Sequence, residues 1–244
     1  MEEFSTLSIN NNSCISKPPY QPFGFFGHSI HGGIIHENSS NFIEQSIKMV
    51  DSSSKGLNKD ICEHVIFENN NELIKIINNF FSNNILEEII VFFNKKSWKC
   101  LCKIDKNLTN KQIDCPFWKI ELENEPLFNS YLSSSIEKYF NKKLHLLRIY
   151  AVSQTYQQNS NYHYDEPEKG YYTFCYYINN NYEKIEDDGL FYIKIPNQTH
   201  ILNIEPIMNR LVMFPSYYRH KGSSYNNSND NLRICIAWKY KILE

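Results

Sequence analysis

At 244 residues, with 41% hydrophobic and 15% aromatic side chains, the chain is long enough to close one substantial core. Its 25 basic and 27 acidic residues leave a formal net charge of −2, so no basic footprint marks a nucleic-acid partner. The opening MEEFSTLSINNNS has neither the basic region nor the apolar core of a secretory signal, and no run is apolar enough for a membrane span, so the expectation is a soluble, intracellular and cytoplasmic protein.

In chain order, residues 1–20 are polar and aperiodic and read as a flexible N-terminus. Residues 21–40 gather aromatics, glycines and His28, His31 and His36. The histidine spacing fits neither one helix face nor one strand face, and Gly32-Gly33 marks a turn, so a structured loop over the core is expected. A short helix is expected over 41–50 and a linker over 51–60. Over 71–93, Leu73, Ile74, Ile76, Ile77, Phe80, Phe81, Ile85, Leu86, Ile89 and Ile90 recur at helical spacing; Ser82-Asn83-Asn84 divides the run into two helices, with Ser82 or Asn83 capping the second. Residues 98–104 alternate as a strand, and 124–141 form an amphipathic helix with Leu127, Phe128, Tyr131, Leu132, Ile136 and Phe140 on one face.

After Lys143 the period changes to that of strands. Runs at 144–152, 171–178, 189–195, 199–204, 210–214 and 232–240 are short, β-prone and separated by Asn-, Gly-, Asp- and Ser-rich turns. The expected fold is mainly β with bracing helices: a double-sheet jelly roll over 143–244, preceded by a loop and helical support region over 21–142, all within one structural domain. The seven cysteines (Cys14, Cys62, Cys100, Cys102, Cys115, Cys175, Cys235) contain no CxxC pair. Cys100 and Cys102 share a strand face, but no second pair completes a zinc site, and all seven are read as reduced thiols.

The chemistry lies in His163-Tyr164-Asp165. In an extended segment the side chains at i and i+2 project to one side, so the imidazole and carboxylate can grip one metal ion. A distant histidine would complete a two-histidine, one-carboxylate facial triad, which suits Fe(II) and leaves coordination positions open. His220, far downstream in Phe214-Pro-Ser-Tyr-Tyr-Arg-His220, is the candidate. Arg233 follows it in an apolar run, where a guanidinium requires a buried anion as partner. Taken singly each of these has a bland reading, such as a turn histidine or a surface histidine beside Lys221.

His163-x-Asp165, Thr173-Phe-Cys-Tyr-Tyr-Ile-Asn179, Asp188-Gly-Leu-Phe191, Pro206…Arg210-Leu-Val-Met-Phe-Pro215, His220 and Arg233-Ile-Cys-Ile-Ala-Trp238 occur in an order that resembles the Fe(II)/2-oxoglutarate-dependent dioxygenases, their prolyl-hydroxylase-like branch above all. The resemblance covers roughly residues 144–241 and implies a double-stranded β-helix. It implies Fe(II) on His163, Asp165 and His220, with 2-oxoglutarate and O₂ as cosubstrates and ascorbate as a candidate accessory reductant. No catalytic residue beyond the metal centre is expected.

Arg233 resembles the family's basic residue for the distal 2-oxoglutarate carboxylate, although Cys235 stands where the family often has serine. Tyr177, by its distance in sequence from His163, resembles the tyrosine that reaches the same carboxylate. Tyr150 resembles a second tyrosine near the cosubstrate, and Thr173 shares a strand face with Tyr177. In a tyrosine-rich chain the competing role for these is core packing. Arg210 is read as structural and Trp238 as part of the barrel wall. The implied activity is hydroxylation of a C–H bond with succinate and CO₂ as co-products, on a protein or peptide side chain; the alternatives are a small-molecule hydroxylase of the same superfamily and a non-catalytic jelly-roll binding module. Neither nucleic acid nor membrane is an expected partner.

Overall fold

The computed structural model describes residues 6–8, 56–69, 72–101, 117–179, 189–225 and 232–243. The histidine-rich stretch 21–40 and the helix expected over 41–50 lie outside them. Twelve strands are described: β1 (Thr6–Ser8), β2 (Cys62–Asn69), β3 (Glu72–Asn78), β4 (Lys99–Leu101), β5 (Phe117–Glu121), β6 (Lys143–Gln154), β7 (Tyr171–Tyr177), β8 (Phe191–Lys194), β9 (Ile201–Ile204), β10 (Arg210–Pro215), β11 (Arg219–Gly222) and β12 (Arg233–Leu243). Two helices accompany them: α1 (Asn83–Asn94), and a π-helical turn, Leu127–Leu132, that runs on into α2 (Ser133–Phe140).

The strands form a major sheet in the order β2-β3-β10-β7-β12-β6-β5-β4 and a minor sheet in the order β1-β9-β8-β11. The sheets face each other as a jelly roll. Between them Phe191, Ile193, Leu202 and Ile204 of the minor sheet pack with Cys175, Tyr177, Val212, Phe214 and Cys235 of the major one. The outer face of the major sheet carries a second core. Tyr172, Phe174, Tyr176, Ile236, Trp238 and Tyr240 pack there against Ile85, Leu86, Ile89 and Phe93 of α1 and Phe128, Leu132 and Ile136 of the second helical segment. Strand alternation sorts the two sets: on β7 and β12 the even-numbered residues face the helices and the odd-numbered ones face the minor sheet. Trp238 is fully buried in this wall, and Arg210 is structural, its Nε donating to Asn78 Oδ1 at 2.7 Å and Nη1 to the Glu205 carbonyl at 2.9 Å.

The helical segment expected ahead of the jelly roll is corrected in its first half. Residues 72–78 form β3, paired with β2 on one side and β10 on the other. The run misleads because both faces of this strand are covered. Leu73 and Ile77 meet the helix-side core, Ile74 and Ile76 the inter-sheet core, so no period-2 pattern survives. The second half is helical as expected. Ser82 sits at the N-cap position of α1 with extended backbone, although its side chain makes no capping bond. Strands β1, β2, β5 and β11 were not anticipated, and β2–β5, all before residue 143, belong to the same sheet as the C-terminal strands. Of the described cysteines, Cys100, Cys175 and Cys235 are free thiols, while Cys62 is disulfide-bonded, contrary to the all-reduced expectation. No helix among the described residues is long and apolar enough to cross a membrane.

Candidate metal centre

Beyond β6 the chain returns to the minor sheet as an extended segment that pairs with β11. His163 and His220 exchange both backbone hydrogen bonds, at 3.0 and 2.8 Å, the hydrogen-bonded antiparallel pair, which sets the two residues directly opposite each other. Their rings lie 4.4 Å apart between centroids. Two residues on, the Asp165 amide donates to the Ser216 carbonyl at 2.9 Å, which keeps the segment extended and turns the carboxylate to the same side as His163. The candidate ligand atoms of His163, Asp165 and His220 all lie within 4.8 Å of one another.

The histidine tautomers follow from the partners. His163 Nδ1 lies 2.9 Å from the Asn161 carbonyl and His220 Nδ1 lies 2.9 Å from the Tyr218 carbonyl. A carbonyl only accepts, so Nδ1 carries a proton in both rings, and Nε2 is the atom that a metal would take. Those Nε2 atoms point at Asp165, 3.9 Å from Oδ1 for His163 and 3.3 Å from Oδ2 for His220. Burial and the neighbouring His220 ring push the His163 pKa below its ordinary value, which keeps this half-exposed imidazole neutral and able to ligate.

Asp165 is held from behind. Thr173 Oγ1 donates to its Oδ2 at 2.7 Å and Ser216 Oγ lies 2.9 Å from the same hydroxyl; the Lys239 ammonium also donates to Oδ2. Burial works against ionising Asp165, but Lys239 and His220 outweigh it and hold the carboxyl well below the usual carboxylate range. Burial likewise opposes the Lys239 charge, and the neighbouring Tyr150 and Asp165 reverse that, raising its pKa. Tyr150 stands on this side of the site, its ring flanked by Lys239, Lys119 and Arg148.

On the same face of β12 as Lys239, Arg233 is buried near the other end of the strand. Its Nε donates to the Gly189 carbonyl at 2.7 Å and its Nη1 to Gln154 Oε1 at 3.0 Å. The guanidinium lies 5.2 Å from the Tyr177 ring centroid. No carboxylate among the described residues pairs with Arg233. Its Nη2 and the Tyr177 hydroxyl are both buried and, among the described residues, have no hydrogen-bond partner of acceptable geometry. Two glycines make room here. Gly189 adopts φ +65°, and a Cβ on it would meet the Tyr225 ring at 2.5 Å; a Cβ on Gly222 would lie 2.9 Å from Arg233 Nη1. Orphaned buried donors beside a cation form the cradle that a carboxylate would satisfy.

Thus the structure brings His163, Asp165 and His220 together, places Thr173 and Tyr150 at the Asp165–Lys239 end, and places Tyr177 with Arg233. Lys239, Gln154 and Ser216 were missed. Lys239 carried a signal, because it is an even number of residues from Arg233 on one buried strand.

No protein-family model matches the chain, and no curated relative matches it. Solved structures do. An oxidoreductase of the 2OG-Fe(II) oxygenase family from Burkholderia pseudomallei superposes with a TM-score of 0.51 at 12% identity, over 66% of this chain and 80% of that one. A prolyl hydroxylase from Trichoplax adhaerens, in complex with a peptide fragment of the hypoxia-inducible factor oxygen degradation domain, superposes with a TM-score of 0.53 at 18% identity, over 69% and 83%. The fold is that of the 2-oxoglutarate/Fe(II) oxygenases. In this oxygenase fold the major sheet supplies Thr173, Tyr177 and Arg233, and β11 and the segment paired with it supply the three candidate ligands.

Proposed function

We propose that the protein is an Fe(II)- and 2-oxoglutarate-dependent dioxygenase that hydroxylates a C–H bond and releases succinate and CO₂. The observation that carries the reading is the pair of Nδ1-protonated imidazoles whose Nε2 atoms converge on one ionised carboxylate. A facial triad of this kind suits Fe(II) and leaves coordination positions open. His163, Asp165 and His220 would hold the metal, while Arg233 and Tyr177 would receive the distal carboxylate of 2-oxoglutarate. When bound, the iron supplies the oxidative decarboxylation and the hydroxylating power. The chain's own work is positional. Thr173 and Lys239 fix Asp165 through Oδ2, and the Asn161 and Tyr218 carbonyls fix the imidazole tautomers. Phe191 and Phe214 pack on His220 at 5.6 and 4.7 Å between centroids and shield that side from water.

The likeness to a prolyl hydroxylase fold supports a protein or peptide side chain as the substrate. The half-exposed His163 and the exposed Tyr164 beside it leave the site open on the side a peptide would approach. The test is an anaerobic titration of the protein with Fe(II) and 2-oxoglutarate, followed by O₂ and a succinate assay. A visible metal-to-ligand charge-transfer band and slow succinate release are expected, and both are expected to vanish in His220→Ala. A folded protein that gives no band refutes the dioxygenase reading in favour of a binding module.

A further inference from the structure

Lys239 is a buried ammonium, 2% exposed, in direct contact with a candidate metal ligand, and the dioxygenase reading leaves its charge without a counterpart. Asp165, a divalent ion, doubly charged 2-oxoglutarate and Arg233 together sum to neutrality. Lys239 adds one positive charge to that set. Once a metal draws on Asp165, that carboxylate is shared between two cations. Among the described residues, the groups that face Lys239 do not make up the difference. Thr173 is a neutral hydroxyl, burial pushes the Tyr150 phenol up, and the Cys235 thiol and then burial push the Cys175 thiol well up. Glu121, the nearest acid on β5, is engaged by Lys119 at 2.5 Å and is itself mostly exposed. A buried charge without a partner is costly, so a cation in this position calls for an anion that arrives with the substrate.

The surroundings of Lys239 fit such a group. Tyr150 offers an aromatic wall, with the Lys239 Nζ 5.6 Å, the Lys119 Nζ 4.5 Å and the Arg148 guanidinium 5.4 Å from its ring centroid. The three cations run from the metal ligands outward along β12, β6 and β5, so an anion travelling to Lys239 meets positive charge along its way. We propose that the substrate is a carboxylate-bearing molecule or peptide, and that Lys239 receives this carboxylate and thereby places the reacting carbon beside the metal. Arg148 is exposed and screened, so the one surplus charge that is buried is that of Lys239, which matches a monoanion better than a phosphate dianion. This inference rests on the dioxygenase reading.

The test uses the full chain loaded anaerobically with Mn(II) and saturating 2-oxoglutarate, so that Arg233 is occupied and no turnover occurs. Loading is followed by electron paramagnetic resonance. Hexanoate and hexanamide carrying ¹³C at the carbonyl carbon, and hexyl phosphate read by ³¹P, are titrated in, and their relaxation by Mn(II) reports binding near the metal. Hexanoate is expected to bind roughly tenfold or more tighter than hexanamide, the size of a charge-assisted contact to a buried group, and tighter than hexyl phosphate. Lys239→Met should erase the preference and Lys239→Arg should retain it. Equal binding of acid and amide overturns the proposal, as does a preference that survives in Lys239→Met; tighter hexyl phosphate binding overturns the carboxylate class. A Lys239 that merely braced Asp165 would show lower Mn(II) loading in Lys239→Met with the probe preference intact. Should that variant not fold, the acid–amide comparison on the wild type decides alone. Failure of the wild type to load Mn(II) and 2-oxoglutarate would sink the dioxygenase reading itself, and this inference with it.

Discussion

The two faces of the major sheet are built from the same strands and do opposite work. Along β12, Ile236, Trp238 and Tyr240 turn toward the helices, while Arg233, Cys235 and Lys239 turn toward the minor sheet. β7 divides in the same way, with Tyr172, Phe174 and Tyr176 outside and Thr173, Cys175 and Tyr177 inside. The helix face is apolar apart from hydroxyls and an indole, and its buried contacts drive folding. The inner face is as deeply buried, yet it carries two cations, one of them against the Asp165 carboxylate of the facing segment, and donors without partners among the described residues. Burial alone therefore does not distinguish structural from functional positions in this chain; the chemistry of what is buried does.

The sharpest contrast comes from one substitution against each face. Asp165→Asn would leave the Lys239 ammonium buried without its ion-pair partner. The expected loss in the metal-free protein is about 3–5 kcal/mol in denaturant unfolding, with metal binding abolished. Adding Lys239→Met should recover most of that stability and none of the metal affinity, a non-additivity that a double-mutant cycle reads directly. Trp238→Ala removes a fully buried indole that donates to the Phe128 carbonyl at 3.3 Å, and should cost a similar ~3–5 kcal/mol. Its Fe(II) and 2-oxoglutarate affinities should stay at wild-type values when measured well below the midpoint of unfolding. A Trp238→Ala protein that is stable but unable to load metal would break the division between the faces.

Arg233 offers a test with the opposite sign on stability. Arg233 has no carboxylate partner among the described residues, and replacing such a buried charge by an apolar side chain is often neutral or stabilising. Arg233→Met is therefore expected to unfold at the same or a higher denaturant concentration than the wild type. It should also weaken 2-oxoglutarate binding by at least about thirtyfold, the loss when one side of a buried charged contact is removed. A destabilised variant with unchanged 2-oxoglutarate affinity would make Arg233 a structural cation and move the cosubstrate elsewhere.

The same contrast explains what could be read from the sequence. The C-terminal strands were legible because turn residues punctuate them at short intervals and β-branched and aromatic residues fill them. His163, Asp165 and His220 were legible as types in an order. Their convergence was not, since it depends on the backbone pairing of His163 with His220, two positions far apart in the chain. β3 was misread because apolar residues on both strand faces imitate a helix. Lys239 was passed over for a related reason. A lysine near the end of a strand reads as solvated, and only its register opposite Thr173 on β7 shows it beneath Asp165. β11, a short strand that includes a lysine, an arginine and a glycine, has no hydrophobic pattern to find.

The smallest expected effect concerns how the histidine-bearing segment is held rather than what it binds. Glu72 on β3 accepts from the Tyr218 hydroxyl at 3.1 Å and pairs with Lys169 at 3.0 Å, tethering the segment just ahead of His220. Burial would raise the Glu72 pKa, but hydrogen bonds from Tyr217, Lys169 and Tyr218 outweigh it and lower the value below 4.5. A carboxyl whose pKa is depressed in the folded state binds fewer protons there than in the unfolded chain. Its contribution is thus full above the unfolded value and is lost as pH falls through the folded one. Glu72→Gln should cost under about 1 kcal/mol at neutral pH, because Lys169 is largely exposed and the pair is screened. The difference from wild type should shrink as the pH drops below 4.5, which denaturant unfolding across that range would show. Burial and then Glu72 also push the Tyr217 phenol up to about 12, so the variant's ultraviolet titration should show one tyrosine moving back toward its ordinary value. An unchanged tyrosine titration together with an unchanged acid limb would mean that β3 does not hold this segment, and that the His163–His220 backbone pairing alone sets the position of His220.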